Sequence, residues 1–526
     1  MSLLALAMML TAADRPNILF AISDDQSYPH CSAYGCEWVS TPAFDRVASR
    51  GLLFNRCYTP NAKCAPSRAC ILSGRNSWQL RAAGNHVFLT PPEMVTWVEA
   101  LGRSGYRTGH VAKGLSPAIS QTADGEPRLP TGPAFNDRKT DPPTTAINRL
   151  DYAANFKDFL NSTDGPPADS ENANRPWCFW YGGFEPHRSY EFGSGLADGR
   201  RSPDDIDEVP AYWPDNTVVR TDMLDYSREI EHFDMHLGRM LDELEARGEL
   251  ENTLVIVTSD NGMPFPRVKG NAYERSNHLP LAVMWPAGIT EPGRQIDDFV
   301  SFIDFAPTLL DYAGVDAEDV GMHPLTGQTL RPIFESDAGG QTGLGRRHVL
   351  IGKERHDLGR PGDAGYPVRG IVGERFTYLQ NFAPDRWPAG NPETGYMNTD
   401  GSPTKTVILD QRAAGLDLRY WALCFGKVGS EELYDRVADP ECLNNLANRP
   451  AFAETKYALA RRMSEELLEE GDPRMLGHGD VFDSYPYADE RMRGFYEKFT
   501  SGWKDDRGRP LKAGWINETD IEPVEE

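Results

Sequence analysis

The chain has 526 residues, 40% of them hydrophobic, with 8 cysteines and a formal net charge of −24 at pH 7. This length exceeds an ordinary domain of about 100–200 residues and predicts a large domain joined to a smaller one. The strong negative charge argues against a nucleic-acid partner. The sparse cysteines, without a CxxC pair, argue against a zinc site or a disulfide scaffold.

An uninterrupted apolar run, residues 3–10, opens the chain and is followed by small residues. This pattern is typical of a secretory signal, although no Lys or Arg precedes the run. We therefore expect residues 1–13 to be a signal-peptide remnant and the protein to be exported to a periplasm or to the cell exterior. A core-packed or disordered N-terminus is the alternative. Beyond this segment, no apolar run approaches the roughly 20 residues that cross a bilayer, so no membrane span is expected.

Two apolar stretches, 18–22 and 253–258, end in polar clusters. The first is followed by Ser23-Asp24-Asp25 and the second by Ser259-Asp260-Asn261. Such runs predict buried parallel strands, and active sites of open α/β sheets lie at the carboxyl ends of these strands. Each cluster alone favours a simple strand-end turn, whereas the two together favour a site.

Helical periodicity separates the predicted strands. Apolar residues recur at helical spacing in 230–244, and shorter helices are predicted at 42–50, 93–103 and 305–312. Strands that alternate with helices predict an α/β fold, with a large mixed, mostly parallel sheet sandwiched by helices.

Three stretches are rich in Pro, Gly, Thr and Asp and lack periodicity: 116–145, 352–367 and 383–405. We interpret the first as a long functional loop near the site and the other two as loops of the same kind. After about residue 369 the pattern changes to short strands and an amphipathic helix at 451–469. The sequence thus predicts a main domain at 14–369 and a smaller C-terminal α+β domain at 370–526.

The polar clusters offer oxygen donors. Asp24, Asp25, Asp260 and Asn261 would form a hard cage that suits Ca²⁺ or Mg²⁺. Cys64 precedes Pro66 at the start of a predicted helix, where the helix dipole favours an anion. A thiolate there would be a nucleophile, but it is a poor ligand for a hard cation.

The stretch CAPSRACILSGR, residues 64–75, resembles the signature of type I sulfatases, which belong to the alkaline-phosphatase-like superfamily. The resemblance covers nearly the whole chain: residues 17–25, VIVTSDNG from Val255, KGNAYE from Lys269 and ELYDRVADPECLNNLA from Glu432 all look like family segments. TSDNGMPFP and EPHRSYEFGSG look most like the sulfamidase group, that is, heparan N-sulfatase and bacterial relatives.

The resemblance implies a sulfatase that hydrolyses sulfate esters or N-sulfates of a sulfated oligo- or polysaccharide. A formylglycine-generating enzyme would oxidise Cys64 to Cα-formylglycine, whose hydrate attacks sulfur with one hydroxyl and releases sulfate with the second. The implied catalytic residues are Cys64, Arg68, Lys113 and Lys269. Ca²⁺, in preference to Mg²⁺, would be held by Asp24, Asp25, Cys64, Asp260 and Asn261.

The chain departs from the family at two histidines. The usual Lys-x-His is Lys113-Gly114-Leu115 here, and the usual His-x-Pro is Phe184-Glu185-Pro186. We expect His187 to take over part of the missing acid–base work, with His356 as a weaker candidate. Arg188, His356 and Arg369 lie in predicted loops or at their ends and are candidates for substrate binding.

Two other functions remain open from sequence. One is a phosphate or phosphonate ester hydrolase on the same scaffold, which paired assays on sulfate and phosphate esters would distinguish. The other is a non-catalytic glycan-binding relative that leaves Cys64 unmodified. The set of oxygen ligands beside Cys64 argues against this second alternative.

Overall fold

A computed structural model of the chain describes residues 15–122, 124–162 and 175–523. The predicted signal segment, 1–13, lies outside the described residues. Within them, no helix combines the length and the apolar character that a membrane crossing requires.

Eight of the described strands form one large sheet. They are β1 (Asn17–Ser23), β2 (Leu52–Tyr58), β3 (Arg107–Ala112), β4 (Trp177–Gly182), β5 (Thr253–Ser259), β6 (His278–Met284), β7 (Arg294–Ile296) and β8 (Val300–Ser301). Their order is β3-β4-β1-β5-β6-β2-β7, and β8 also pairs with β2. β1 runs parallel to β4 and β5, whereas β6 is antiparallel to β5 and β2. The predicted mixed, mostly parallel sheet is confirmed.

The described α-helices are α1 (Pro42–Ser49), α2 (Cys64–Ser73), α3 (Trp97–Arg103), α4 (Tyr152–Asn161), α5 (Thr217–Arg247), α6 (Glu274–Asn277), α7 (Phe305–Ala313), α8 (Arg331–Glu335), α9 (Pro403–Ala413), α10 (Leu418–Phe425), α11 (Ala453–Glu469), α12 (Val481–Ser484) and α13 (Phe495–Thr500). The helices predicted at 42–50, 305–312 and 451–469 are confirmed to within two residues at each end. The helix predicted at 93–103 begins only at Trp97, because the Thr96 side chain caps it by accepting a hydrogen bond from the Glu99 amide.

Helices cover both faces of the large sheet. Successive residues of its strands point to opposite faces, and apolar residues on each face pack against a layer of helices. In β1, Ile18, Phe20 and Ile22 share one core with α2, α3 and α7. Leu19 and Ala21 share the opposite core with α1, α4 and α5. The carboxyl edge of β1 and β5 is therefore held rigidly between two packed layers.

Four further strands of the described chain form an antiparallel sheet in the order β12-β11-β10-β9. They are β9 (Val349–Lys353), β10 (Val368–Val372), β11 (Phe376–Asn381) and β12 (Glu431–Asp435). One face packs on α11 through Met463 and Leu467, and the other joins Tyr58 and Phe299 of the large domain. The boundary predicted between residues 369 and 370 falls inside β10. β9, which precedes that boundary, pairs with β10 along its whole length and therefore belongs to the smaller sheet.

Candidate active site

Two pairs of polar residues meet at the carboxyl edge of the large sheet. β1 and β5 are parallel neighbours, with Ser23 opposite Ser259. The residues that follow, Asp24, Asp25, Asp260 and Asn261, are all buried there. Asp25 has a φ of 76°, in the left-handed region, and its amide donates to Asp260 Oδ1 at 3.0 Å. Such a backbone conformation persists only where the surrounding structure holds it, as this hydrogen bond does.

These side chains form an oxygen cage that fits a hard cation. One carboxylate oxygen from each of Asp24, Asp25 and Asp260 lies within 4.8 Å of the others. Oδ1 of Asp24 and Oδ1 of Asn261 are buried and lack a hydrogen-bond partner among the described residues. Buried oxygens without a partner are rare, because their desolvation is costly. A bound Ca²⁺ or Mg²⁺ would satisfy both atoms.

Cys64 is the first residue of α2 and faces the same cage. Lys63 before it is extended, and Pro66 stands in the first helical turn, where its missing N–H is tolerated. Cys64 Sγ lies 3.8 Å from Asp25 Oδ1. Burial, together with the charge of Asp24, raises the pKa of the Cys64 thiol well above its usual value. An unmodified Cys64 would therefore remain a protonated thiol rather than a thiolate nucleophile.

Buried cations surround the cage. Lys113 Nζ lies 2.5 Å from Asp24 Oδ2, Arg68 Nε lies 2.8 Å from Asp260 Oδ2, and Lys269 Nζ lies 2.7 Å from Asp25 Oδ2. Burial alone would raise the pKa of Asp24, but the charges of Lys113, His187 and Arg68 together outweigh it and the pKa falls to about 2. The structure thus places Arg68, Lys113 and Lys269 around the cage that Cys64 faces.

His187 lies beside Cys64. Its Nε2 is 3.8 Å from Asp25 Oδ2, and one of its ring nitrogens is within 4.8 Å of Cys64 Sγ. Its Nδ1 contacts the backbone oxygen of Arg188, which orients the ring. About a third of the side chain, 34%, is exposed to solvent.

Several charged or titratable side chains that the sequence did not single out also line the site, among them Lys63, His86, Asp357 and Asp400. Asp400 Oδ2 lies 2.8 Å from Lys269 Nζ. Asp357 lies 2.6 Å from Lys63 Nζ and 2.9 Å from His86 Nδ1. Both aspartates come from the loops predicted at 352–367 and 383–405. The adjacency of Lys63 to Cys64 and the two predicted loops were the signals in the sequence for this group.

These groups line a cavity of about 440 Å³. Ser116 and Pro117 from the loop predicted at 116–145 contribute to its wall. Tyr487 and Trp515, near the end of the chain, contribute aromatic rings. The large domain and the C-terminal region therefore build the cavity together.

Two buried glutamates also line the cavity. Glu185 accepts hydrogen bonds from the Tyr152 hydroxyl at 2.8 Å and the Asn148 amide at 3.0 Å, and burial raises its pKa to about 7. Glu229, on α5, has an Oε1 without a partner in the described chain. Burial, together with the charge of Glu185, raises the pKa of Glu229 to about 9.

Arg188, one of the predicted substrate-binding residues, lines the cavity. Its two terminal nitrogens donate to the carboxylate of Asp222 at 2.7 and 2.8 Å, and Nε donates to the Pro264 carbonyl. Its charge is therefore already balanced, so Arg188 supplies shape to the cavity wall rather than a free cation.

The structure places the other two predicted substrate-binding residues outside the cavity. His356 is buried, with Nε2 lying 2.6 Å from Asn61 Oδ1. Arg369 lies on β10, where Glu354 and Asp472 each approach its guanidinium to 2.8 Å. Both side chains serve buried partners, and loop composition could not distinguish that role from substrate binding.

A family model described as Sulfatase matches residues 16–315, which is more than half of the 526-residue chain. The matched segment contains the oxygen cage, Cys64, Arg68, Lys113, His187 and Lys269. The resemblance noted in the sequence is thereby confirmed.

Named relatives agree with the family model. Human N-sulphoglucosamine sulphohydrolase is 27% identical over 514 residues, spanning 91% of this chain and 95% of its own. An N-acetylglucosamine-6-O-sulfatase of Bacteroides thetaiotaomicron is 25% identical over 544 residues, spanning 87% and 86% of the two chains. A solved structure in complex with its substrate, D-glucosamine-2-N,6-O-disulfate, superposes with a TM-score of 0.59 and 20% identity, over 87% of this chain and 98% of the other. By its family match and by the similarity of these relatives along most of its length, the chain belongs to the sulfatase family.

Proposed function

We propose that this sulfatase removes sulfate from a sulfated saccharide, as an ester or an N-sulfate, through a formylglycine made from Cys64 and a bound Ca²⁺. The position of Cys64 carries the proposal. Its Sγ stands at the start of α2, 3.8 Å from a cage carboxylate, within the field of Lys113 and Lys269. The cavity in front of it, about 440 Å³, is large enough for a sugar ring.

Asp24, Asp25, Asp260 and Asn261 would hold the cation, together with the modified residue 64. When bound, Ca²⁺ supplies positive charge beside the nucleophile and the sulfate oxygens. Ca²⁺ is favoured over Mg²⁺ because the cage offers buried protein oxygens, whereas Mg²⁺ usually keeps several waters. The Oδ1 atoms of Asp24 and Asn261, which lack a partner within the described ranges, support this assignment.

The surrounding cations would bind and orient the sulfate group. Arg68 Nη1 donates to the carbonyl oxygens of Lys113 and Gly114 at 2.8 and 3.0 Å, which fixes its guanidinium in advance. Positive groups held in place before the reaction stabilise negative charge that develops in the transition state. His187 Nε2 would accept a proton from the hydrated formylglycine, because it is beside residue 64 and partly exposed.

A saccharide substrate is supported by the relatives and by the cavity. The named relatives act on sulfated glucosamines, by their own descriptions. Tyr487 and Trp515 give the cavity apolar aromatic surface beside its charged groups. Neither observation selects between an O-sulfate and an N-sulfate, so the proposal includes both.

Maturation and export complete the proposal. A formylglycine-generating enzyme would be a transient partner that reads the CAPSR segment around Cys64. Export to a periplasm or the cell exterior is supported by the apolar run at 3–10.

The test is the mass of the peptide that contains Cys64, from protein produced with a formylglycine-generating enzyme, followed by paired assays on nitrophenyl sulfate and nitrophenyl phosphate. An aldehyde mass with sulfate turnover supports the proposal, and a screen of N- and O-sulfated glucosamines then selects the linkage. Faster turnover of phosphate or phosphonate esters would favour the alternative hydrolase. An unmodified thiol with glycan binding and no turnover would favour a non-catalytic relative.

A further inference from the structure

Breakage of the bond between sulfur and the saccharide requires a proton donor. The electron pair of that bond goes to the sugar oxygen or nitrogen, and a proton must reach that atom as the bond breaks, because an alkoxide or amide anion is a poor leaving group. Lys113 is bonded to Asp24, and Lys269 is bonded to both Asp25 and Asp400. His187 lies on the Asp25 side of Cys64, where it faces the nucleophile. The donor for the leaving group should therefore lie elsewhere on the cavity wall.

We propose that His86, oriented by Asp357, is the catalytic acid that protonates the leaving oxygen or nitrogen of the saccharide. This inference rests on the proposed sulfatase function and adds a residue to it. It assigns separate tasks to the two imidazoles of the cavity: His187 serves residue 64, and His86 serves the sugar.

The hydrogen bonds around His86 use one ring nitrogen and leave the other without a partner in the described chain. Nδ1 lies 2.9 Å from Asp357 Oδ1, and the His86 amide donates to the Arg355 carbonyl at 2.9 Å. Nε2 is buried and has no hydrogen-bond partner among the residues described. A carboxylate that accepts from Nδ1–H fixes the ring and favours the charged form, so that Nε2 can carry the transferable proton.

Asp357 links this imidazole to Lys63, the neighbour of Cys64 in the chain. Its other oxygen, Oδ2, lies 2.6 Å from Nζ of Lys63, the residue immediately before Cys64. Lys63, Cys64, His86 and Asp357 all line the same cavity. His86 is therefore connected to the start of α2 by a short chain of ion pairs.

The step balances as a single proton transfer. The Nε2–H bond breaks as the new O–H or N–H bond forms on the leaving group, while sulfur gains its bond to the nucleophile. His86 is left neutral with Nδ1–H still bonded to Asp357, and it regains a proton from solvent before the next turnover.

The charges that face His86 predict how the rate depends on pH. Burial has the largest effect and lowers the pKa of His86; Asp357 opposes it, whereas Lys63 and Lys269 add to it. The His86 charge also lowers the pKa of the neighbouring His356. Because the acid form is required, kcat/KM for saccharide sulfates should be highest at acid pH and should fall as pH rises through a pKa below 6.5.

The test compares two substrates in two variants. N-sulfated glucosamine has a poor leaving group, whereas the nitrophenolate of nitrophenyl sulfate leaves readily without a proton. We expect His86→Gln to lower kcat on the saccharide by roughly 10²–10⁴-fold and on nitrophenyl sulfate by less than about tenfold. The matched control is His356→Gln, the buried imidazole beside Asp357, which should change both rates by the same factor.

Equal losses on both substrates in His86→Gln would overturn the inference, as would an unchanged pH profile. If His86→Gln folds poorly, His86→Ala with added imidazole gives a second reading: selective recovery of the saccharide rate supports a proton donor, and its absence contradicts one. Failure of the proposed function is distinguishable, because the wild-type enzyme would then turn over neither sulfate.

Discussion

Arg68 Nε lies 2.8 Å from Asp260 Oδ2, with both side chains fully buried, although 192 residues separate them in the chain. The same guanidinium donates to the Lys113 and Gly114 carbonyl oxygens. This pair ties α2, which carries Cys64, to the end of β5 and to the segment after β3. The position of the nucleophile therefore depends on a contact between three distant parts of the chain.

We expect Arg68→Met to lower the free energy of unfolding by about 3–5 kcal/mol, because Asp260 is left as a buried charge without its partner. Urea unfolding measures the loss. The matched control is Arg46→Met, whose ion pairs with Asp242 and Glu245 are at the surface; removal of such pairs costs about 0–1 kcal/mol. Similar losses in the two variants would show that the buried pair is not needed for stability.

Cys64→Ser tests the need for two hydroxyls on residue 64. A serine offers one hydroxyl, so a sulfate transferred to it would stay as an ester. We expect at most one turnover of nitrophenyl sulfate and a gain in protein mass equal to one sulfuryl group, seen by intact mass spectrometry. Cys64→Ala should gain no mass. Repeated turnover by the serine variant would contradict the proposed mechanism.

Calcium removal should destabilise the protein. We expect a chelator to lower the unfolding temperature and added Ca²⁺ to restore it. At a hundredfold excess over Kd, bound Ca²⁺ should raise the free energy of unfolding by about 2.7 kcal/mol. Asn261→Ala should weaken this response, because its side chain contacts Asp25 and its Oδ1 has no partner among the residues that the structure describes. Asn277→Ala is the control: its Oδ1 is also buried without a partner in the described chain, but its amide donates to the Thr59 carbonyl, away from the cage. An equal calcium response in both variants would remove Asn261 from the ligand set.

Local patterns in the sequence predicted the residues at the centre of the site. The remaining residues of the site come together through contacts between distant parts of the chain. Asp24, Asp25, Asp260 and Asn261 follow apolar runs that must be buried strands, and Cys64 precedes Pro66 at a helix start. Asp400 reaches Lys269 across 131 residues, and His86 reaches Asp357 across 271. Such loop contacts depend on tertiary packing and leave no periodic signal.

The dependence on distant contacts also explains why two residues predicted to bind substrate lie outside the cavity. The charge of Arg369 suggested a ligand, but its partner Asp472 is 103 residues away and was invisible from the sequence. An arginine in a Gly- and Pro-rich region has the same local appearance in either role. Strand pairing likewise places β9 in the smaller sheet, whereas the change of pattern along the sequence had suggested a later domain boundary.

Arg369→Met separates these two roles. The substitution leaves Glu354 and Asp472 as buried carboxylates with fewer partners, so we expect a loss of about 3–5 kcal/mol in the free energy of unfolding. The variant that remains folded at low temperature should keep the wild-type KM for its sulfated substrate, because Arg369 lies outside the cavity. A raised KM with unchanged stability would restore the substrate-binding role.

Glu229→Gln should change how stability depends on pH. Burial raises the pKa of Glu229 from 4.5 to about 9, so the folded state binds its proton more tightly than the unfolded state does. The stabilisation is complete below the unfolded pKa and is lost as pH rises from 4.5 towards 9, with a slope of up to about 1.4 kcal/mol per pH unit. A glutamine cannot titrate, so the variant should gain stability relative to the wild type between about pH 5 and about pH 8. Thermal unfolding at the two pH values measures the gain, with the exposed Glu251→Gln as control. Parallel stability curves for wild type and Glu229→Gln would show that the Glu229 carboxyl ionises normally in the folded protein.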